Sequence, residues 1–317
     1  MIKVTKFGGS SVANAKQFAK VKHIIDSDPS RKFIVTSACG KESHEDHKVT
    51  DLLYLIQAHI KYGVSYESLF DMIVKKYKSI QEELHLHVNL DEEFFRIRKI
   101  IQNDDSPDYL VSRGEYLTGK LLAEYLGAKF VDAADVIMFH YDGTIDMKRT
   151  REKLMQYVQG SEKILIPGFY GATPNGTIKV MSRGGSDITG AVLANIVDAD
   201  VYENWTDVNG FLMADPHIVP NARPIRHITY RELRELSYMG ATVLHEDSVF
   251  PVHRAGIPTN IRNTNAPEEI GTMITHGAVE EPNPYVITGI AGRLGFSVIS
   301  VEKAMMNSEL GFGRKVL

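Results

Sequence analysis

Residues 4–13 read VTKFGGSSVA. A short apolar run passes through Lys6 and Phe7 into two glycines and two serines. Apolar residues at Val12, Ala15, Phe18, Val21 and Ile25 then mark one face of a helix. One reading is a tight strand-to-helix turn, since glycine suits any sharp bend. The other is an anion cradle: glycines allow close backbone approach, the helix aims free N–H groups and its dipole at the turn, and Lys6 adds a point charge. This stretch alone leaves both open.

Working outward, Pro29 and Ser30 end the helix. KFIVTSACGK (32–41) then reads as a buried strand entering a loop at Ser37–Gly40. Strand, helix, strand is a parallel crossover, and its repetition gives an α/β sheet. Residues 50–127 read as mainly helical, with turn signals at Gly63, Asn89 and Ser106–Pro107. Strand character returns in AKFVDAADVIM (128–138) and EKILIPGFYG (162–171). FYGATPNGTIKVM (169–181) is a hairpin turning at Asn175–Gly176. SRGGSD (182–187) leads into a helix at 188–197, and ADVYENWTDVNGF (199–211) supplies a strand and loop. TYRELRELSYMGATVLHEDSV (229–249) reads as helical and IPTNIRN (257–263) as a strand. The expected fold is a three-layer αβα sandwich on a mainly parallel sheet.

At VEEPNPY (279–285) the texture changes to that of a linker. We therefore divide the chain into a domain of 1–280 and a segment of 281–317, with two short strands expected in 285–304 and a helix starting within 307–317. So small a unit cannot bury a core alone, so it is expected to continue or to pack on a neighbour.

With 317 residues, 43% hydrophobic and 24% charged, the chain has an ordinary globular composition. A net charge of −4 argues against a nucleic-acid binder. The single cysteine, Cys39, excludes an intrachain disulfide and points to a reducing cytoplasm. No secretory leader of the usual form opens the chain, and no apolar run suits a membrane span. The sequons at Asn175 and Asn204 are then chance matches.

Two motifs are decoys. GEYLTGKL (114–121) nearly fits a phosphate loop, but Leu121 stands where a hydroxyl is needed, and its leucines share a helical stripe. SHEDHK (43–48) lacks the histidine spacing of zinc helices and reads as a solvated loop, as does His85–His87. No protein metal-ligand set is identified. SRGGSDITGAVLA (182–194) is different, because it repeats the first device with its own cation, Arg183, and with Asp187. Two such turns suit a phosphate and a carboxylate, the latter matched by arginine's planar fork. WTDVNGF (205–211) puts Thr206 and Asp207 after a strand, at the sheet edge where open α/β folds hold nucleotides.

KFGGSSVA, VTSACGK…KVTDLL, VSRGE, GFYGATPNGTIKVMSRGGSDITGA, WTDVNGF…DP and GATVLH, in this order, resemble the aspartokinases of the amino acid kinase superfamily. The match runs from Lys6 to about Ile274, and the tail resembles the start of that family's ACT regulatory region. The resemblance implies phosphoryl transfer from MgATP to the side-chain carboxylate of L-aspartate, and a homo-oligomer, a dimer, in the full-length protein. It gives Lys6 and Asp187 catalytic roles, Lys6 offsetting charge and Asp187 ordering the site. Thr50, Glu115, Ser182, Arg183 and Gly184 hold aspartate, with Glu115 on its α-amino group and Arg183 on its α-carboxylate. Gly8, Gly9, Ser10, Thr206 and Asp207 join Lys6 around the nucleotide. Leu212, His217 and Thr242 fall at nucleotide positions where many members carry tyrosine, a basic residue and lysine. Arg223 or Arg226 is the expected compensation. An inactive binding module and a sister kinase acting on glutamate or acetylglutamate are the alternatives.

Overall fold

The strand that ends at Lys6 and Phe7 lies in the middle of the molecule's main sheet. The computed structural model describes residues 1–102, 107–158, 160, 162–182, 184–238, 244, 246–277, 286–292, 295, 297, 299–303, 306 and 310–316. Strand β1 (Lys3–Phe7) is followed by one 3-10 turn (Gly9–Val12), helix α1 (Ala15–Asp26) and β2 (Arg31–Thr36). Four helices come next: α2 (Val49–Lys61), α3 (Glu67–Glu83), α4 (Leu90–Gln102) and α5 (Pro107–Leu126). Then follow β3 (Lys129–Phe130), α6 (Ala133–Val136), α7 (Met147–Leu154), β4 (Ile164–Pro167) and the hairpin β5 (Tyr170–Ala172) and β6 (Ile178–Val180). The second half adds α8 (Gly185–Ile196), β7 (Val201–Thr206), β8 (His227–Thr229), α9 (Tyr230–Tyr238), α10 (Glu246–Ala255), β9 (Thr259–Asn263), β10 (Thr272–Thr275) and α11 (Phe312–Val316).

Eight strands form one sheet in the order β3-β4-β2-β1-β7-β9-β10-β8. Every neighbouring pair is parallel except β9 with β10. From β1 the chain first builds toward β2, β4 and β3, then crosses to β7 on the other side. The carboxyl edge of β1 and β7 is therefore the sheet's topological switch point, where such folds open a crevice.

Side chains alternate along the central strands and feed two cores. Val4, Val35, Ile166 and Tyr202 pack toward α6 to α10, whereas Phe7, Ile34, Leu165 and Trp205 pack toward α1 to α5. The expected three-layer α/β sandwich is what forms. The near-miss phosphate loop at 114–121 is buried mid-helix in α5, as its leucine stripe requires.

Some local expectations give way to capping. The helix expected from Val12 starts only at Ala15, because Asn14 accepts from the Gln17 amide at 3.0 Å and fixes the N-terminus there. The strand expected over 128–138 shrinks to two residues, since Asp132 caps the short α6 by accepting from the Ala134 amide. The helical stretch 229–249 divides into α9 and α10, and 239–243 and 245 lie outside the described residues. In 285–304 the described residues hold no strand, and the Ile290 amide donates to the Met213 carbonyl at 2.7 Å; 285, 293, 294, 296, 298 and 304 lie outside the described residues.

Candidate active site

Lys6 is carried to the sheet's carboxyl edge by β1 and is buried, with its side chain only 9% exposed. Its Nζ lies 2.7 Å from Oδ1 of Asp187, in the first turn of α8. Asn204 of β7 donates to the same carboxylate oxygen at 2.8 Å, and the Tyr202 hydroxyl donates to the Asp187 carbonyl at 3.2 Å. One carboxylate thus fixes the lysine, the helix start and the adjacent strand together. A Cβ on Gly8 would stand 3.7 Å from the Lys6 Nζ, so the ammonium sits over the first glycine of the turn.

Main-chain bonds hold that turn. Gly8 N–H donates to the Trp205 carbonyl at 2.9 Å, and Ser11 N–H to the Gly8 carbonyl at 3.0 Å. The Ser11 hydroxyl meets Thr264 Oγ1 at 2.7 Å, tying the turn to the end of β9. Beneath it runs the loop after β2, where Gly40 N–H donates to the Gly9 carbonyl at 2.9 Å. The two backbones touch: a Cβ on Gly40 would lie 2.5 Å from the Gly9 carbonyl carbon. Only glycine fits.

The same loop leads to Glu115. This carboxylate is buried in α5, and its Oε2 has no hydrogen-bond partner. Burial raises its pKa from the ordinary carboxylate range to about 8; its own amide, the Ala38 amide and the charges of Arg113 and Lys6 oppose the rise. A buried carboxyl group with one oxygen unpartnered beside an anion cradle is a candidate receiver for a cation. Thr50, half-buried in the first turn of α2, follows Val49, whose amide donates to the Cys39 carbonyl at 3.1 Å.

The second glycine turn precedes α8. Gly184 adopts φ 76°, a left-handed conformation that glycine takes without strain, and a Cβ there would stand 3.8 Å from Asp187 Oδ2. Ser182 is exposed at the entry to this turn. Arg183 and Thr242 lie outside the described residues. Thr206 ends β7 and its hydroxyl donates to the Asp207 carboxylate at 3.2 Å. Farther along, Leu212 bridges to Pro224, and His217 is exposed and bonded to Asp215 through its own amide at 2.8 Å. Lys6, Asp187 and the glycine turn are thus brought together, with Glu115 linked through the Ala38–Gly40 loop.

Reading the sequence by motif passed over Asn204, Tyr202, Ser11 and Thr264. A signal existed for the first: VYENWT places Glu203 and Asn204 side by side in a strand buried on both faces, and buried polar pairs require partners. The SHEDHK loop gathers no metal ligands; among the described residues no three His, Cys, Asp or Glu side chains converge on a metal position.

A family model described as the amino acid kinase family matches residues 1–263. Aspartokinase 3 of Bacillus subtilis is 39% identical over 333 residues, covering 100% of this chain and 72% of that protein. Among solved structures, the aspartate kinase of Clostridium acetobutylicum superposes with a TM-score of 0.90 at 52% identity, over 99% of this chain and 72% of that one. Escherichia coli aspartokinase III, solved in complex with aspartate and ADP, gives a TM-score of 0.78 at 27% identity, over 88% of this chain and 66% of that one. The lysine-bearing strand, the two glycine turns and these relationships agree: the chain belongs to the amino acid kinase family, as an aspartokinase.

Proposed function

We propose that this chain transfers the γ-phosphoryl group of ATP to the side-chain carboxylate of L-aspartate, giving 4-phospho-L-aspartate and ADP. The observation that carries this reading is the buried Lys6 ammonium, clamped by Asp187 between two glycine turns at the sheet's switch point.

A carboxylate oxygen of aspartate attacks the γ-phosphorus, and the bond to the β,γ-bridging oxygen breaks as ADP leaves. With an ordinary pKa of about 3.9 the nucleophile is already ionised at neutral pH, so no general base is required. The protein's part is to position both substrates and to stabilise charge spreading over the transferred group. Lys6 supplies the cation, and Gly8, Gly9 and Ser10 offer the close approach and donors of a phosphate cradle. Asp187 holds Lys6 in place through a fixed ion pair. Glu115 receives the substrate's α-ammonium, Arg183 its α-carboxylate, and Thr50, Ser182 and Gly184 complete that side. Thr206, Asp207, Leu212, His217 and Thr242 border the nucleotide.

Magnesium fits as an ion carried by the phosphates and water, since Mg²⁺ in such sites takes only one or two protein carboxylates. Asp187 is the carboxylate beside the cradle available to it. When bound, it neutralises charge on the phosphates. The same reading includes a homodimer in the cytoplasm, and light scattering reports the oligomer.

Coupled ADP release with aspartate, together with hydroxylamine trapping of the acyl phosphate, tests the function directly. Replacing aspartate by glutamate or N-acetylglutamate in that assay tests the sister-kinase reading. Faster turnover on either of those substrates would overturn the assignment.

A further inference from the structure

The Ala38–Gly40 loop touches both sides of the site. At Ala38 the loop packs on the helix residue just before Glu115, where a Cβ on Gly114 would stand 2.8 Å from the Ala38 Cβ. The Cys39 carbonyl receives the Val49 amide that opens α2, one residue before Thr50, and the Gly40 amide holds the Gly9 carbonyl. Both sides of the site are therefore measured from this loop. What fixes the loop against α5 is a buried pair of hydroxyls that the mechanism above does not use.

Cys39 N–H donates to Thr118 Oγ1 at 3.1 Å. The Thr118 hydroxyl in turn donates to the Gly114 carbonyl, one helical turn earlier, at 2.8 Å. Tyr77 of α3 reaches the same point: its hydroxyl donates to the Gly114 carbonyl at 2.7 Å and lies 3.0 Å from Thr118 Oγ1. Thr118 and Tyr77 are both fully buried. Gly114 immediately precedes Glu115, and a Cβ on Gly114 would stand 2.8 Å from the Ala38 Cβ, so loop and helix are in close contact here.

Burial keeps the Tyr77 phenol protonated by raising its pKa well above the ordinary value, so it remains a donor at any working pH. Apolar packing alone would have been served by phenylalanine and valine. Two buried hydroxyls converging on the carbonyl before Glu115, one of them also holding the amide between Ala38 and Gly40, instead fix a distance.

We propose that Thr118, supported by Tyr77, is a positioning residue for the amino-acid side of the site, setting the Glu115 carboxylate at its working separation from the glycine cradle. The proposal rests on the aspartate-kinase reading above. Its ligand is the ammonium of the amino-acid substrate, which Thr118 reaches only through Glu115 and the loop.

The test compares Thr118→Val, which keeps shape and removes the hydroxyl, with Thr118→Ser, which keeps the hydroxyl, and with Tyr77→Phe. Each is assayed on the full chain for aspartate KM, ATP KM, kcat and thermal midpoint. Leaving the Cys39 amide unpaired is expected to raise the aspartate KM about tenfold in Thr118→Val, with the ATP KM within about twofold of wild type. Thr118→Ser should return the aspartate KM to within about twofold, and Tyr77→Phe should raise it about threefold, because Gly114 keeps one donor.

The pH profile of kcat/KM for aspartate should shift in Thr118→Val and recover in Thr118→Ser, a response that loss of stability alone does not produce. Equal rises in both KM values, a lowered midpoint with unchanged KM values, or a Thr118→Ser variant as impaired as Thr118→Val would each overturn the proposal. If Thr118→Val does not accumulate as folded protein, Tyr77→Phe decides: an unchanged aspartate KM overturns it. Wild-type protein that neither turns over nor binds aspartate overturns both readings, whereas wild-type turnover with an unaffected Thr118→Val overturns this one alone.

Discussion

Lys6 and Asp187 form an ion pair of 2.7 Å that joins the first strand of the chain to the helix behind the second glycine turn. Asn204 shares the carboxylate oxygen, so the aspartate stays oriented from the strand side as well. Lys6→Ala should therefore leave the fold intact and lower kcat by about a thousandfold or more, the scale of losing one preorganised charge contact in a transition state. Steady-state ADP release with circular dichroism checks it; near-wild-type turnover would remove Lys6 from the mechanism.

Glu115 gives the pH prediction. Its carboxyl, raised to about 8 by burial, is largely protonated at neutral pH in the free protein, yet pairing with an ammonium requires the anion. Aspartate affinity should fall as pH drops below about 8, and Glu115→Gln should flatten that profile while raising the aspartate KM.

Stability of the free protein runs the opposite way. Because the folded pKa lies above the unfolded 4.5, the folded state binds the extra proton between the two values. That contribution is complete below the unfolded pKa and is lost as pH rises through the folded one. Melting of wild type and Glu115→Gln across this window should show the slope in the first and its loss in the second.

Gly40 and Gly9 touch backbone to backbone, so Gly40→Ala must push the loop off the cradle. A destabilisation of about 1–3 kcal/mol or more is expected from the forced overlap, with a raised KM for ATP. A variant with wild-type melting and wild-type nucleotide kinetics would show that the contact is slack.

Glu203 serves as a contrast, on the face of β7 opposite Asn204. Its carboxylate takes Arg31 Nε at 2.8 Å and Trp205 Nε1 at 3.0 Å, with Lys3 at 3.5 Å and Arg262 at 3.8 Å, and the side chain is only 2% exposed. Glu203→Ala strands buried cations and should cost about 3–5 kcal/mol in denaturant unfolding. Turnover per folded molecule should be preserved.

The layers and the parallel sheet were legible because apolar runs of strand length alternate with helical stripes, and Asn175–Gly176 marks its hairpin plainly, Gly176 taking φ 84°. Boundaries were not, since single side chains such as Asn14 and Asp132 decide where a helix starts. Lys6, Gly9, Asp187 and Glu115 could be picked out by motif. Their pairings could not: the Asp187–Asn204 bond crosses from a helix to the strand that follows it, and the Ser11–Thr264 contact joins residues that only the strand order brings together. Tyr77 carries no motif, and Thr118 lies within the near-miss phosphate loop at 114–121 that the sequence reading sets aside.

The place of β1 within the sheet has a kinetic consequence. Bonded along both edges, to β2 and β7, it has no freedom to advance or withdraw. The backbone of Lys6 is therefore held still, and under the proposed reaction any closing motion during turnover must come from the walls around it.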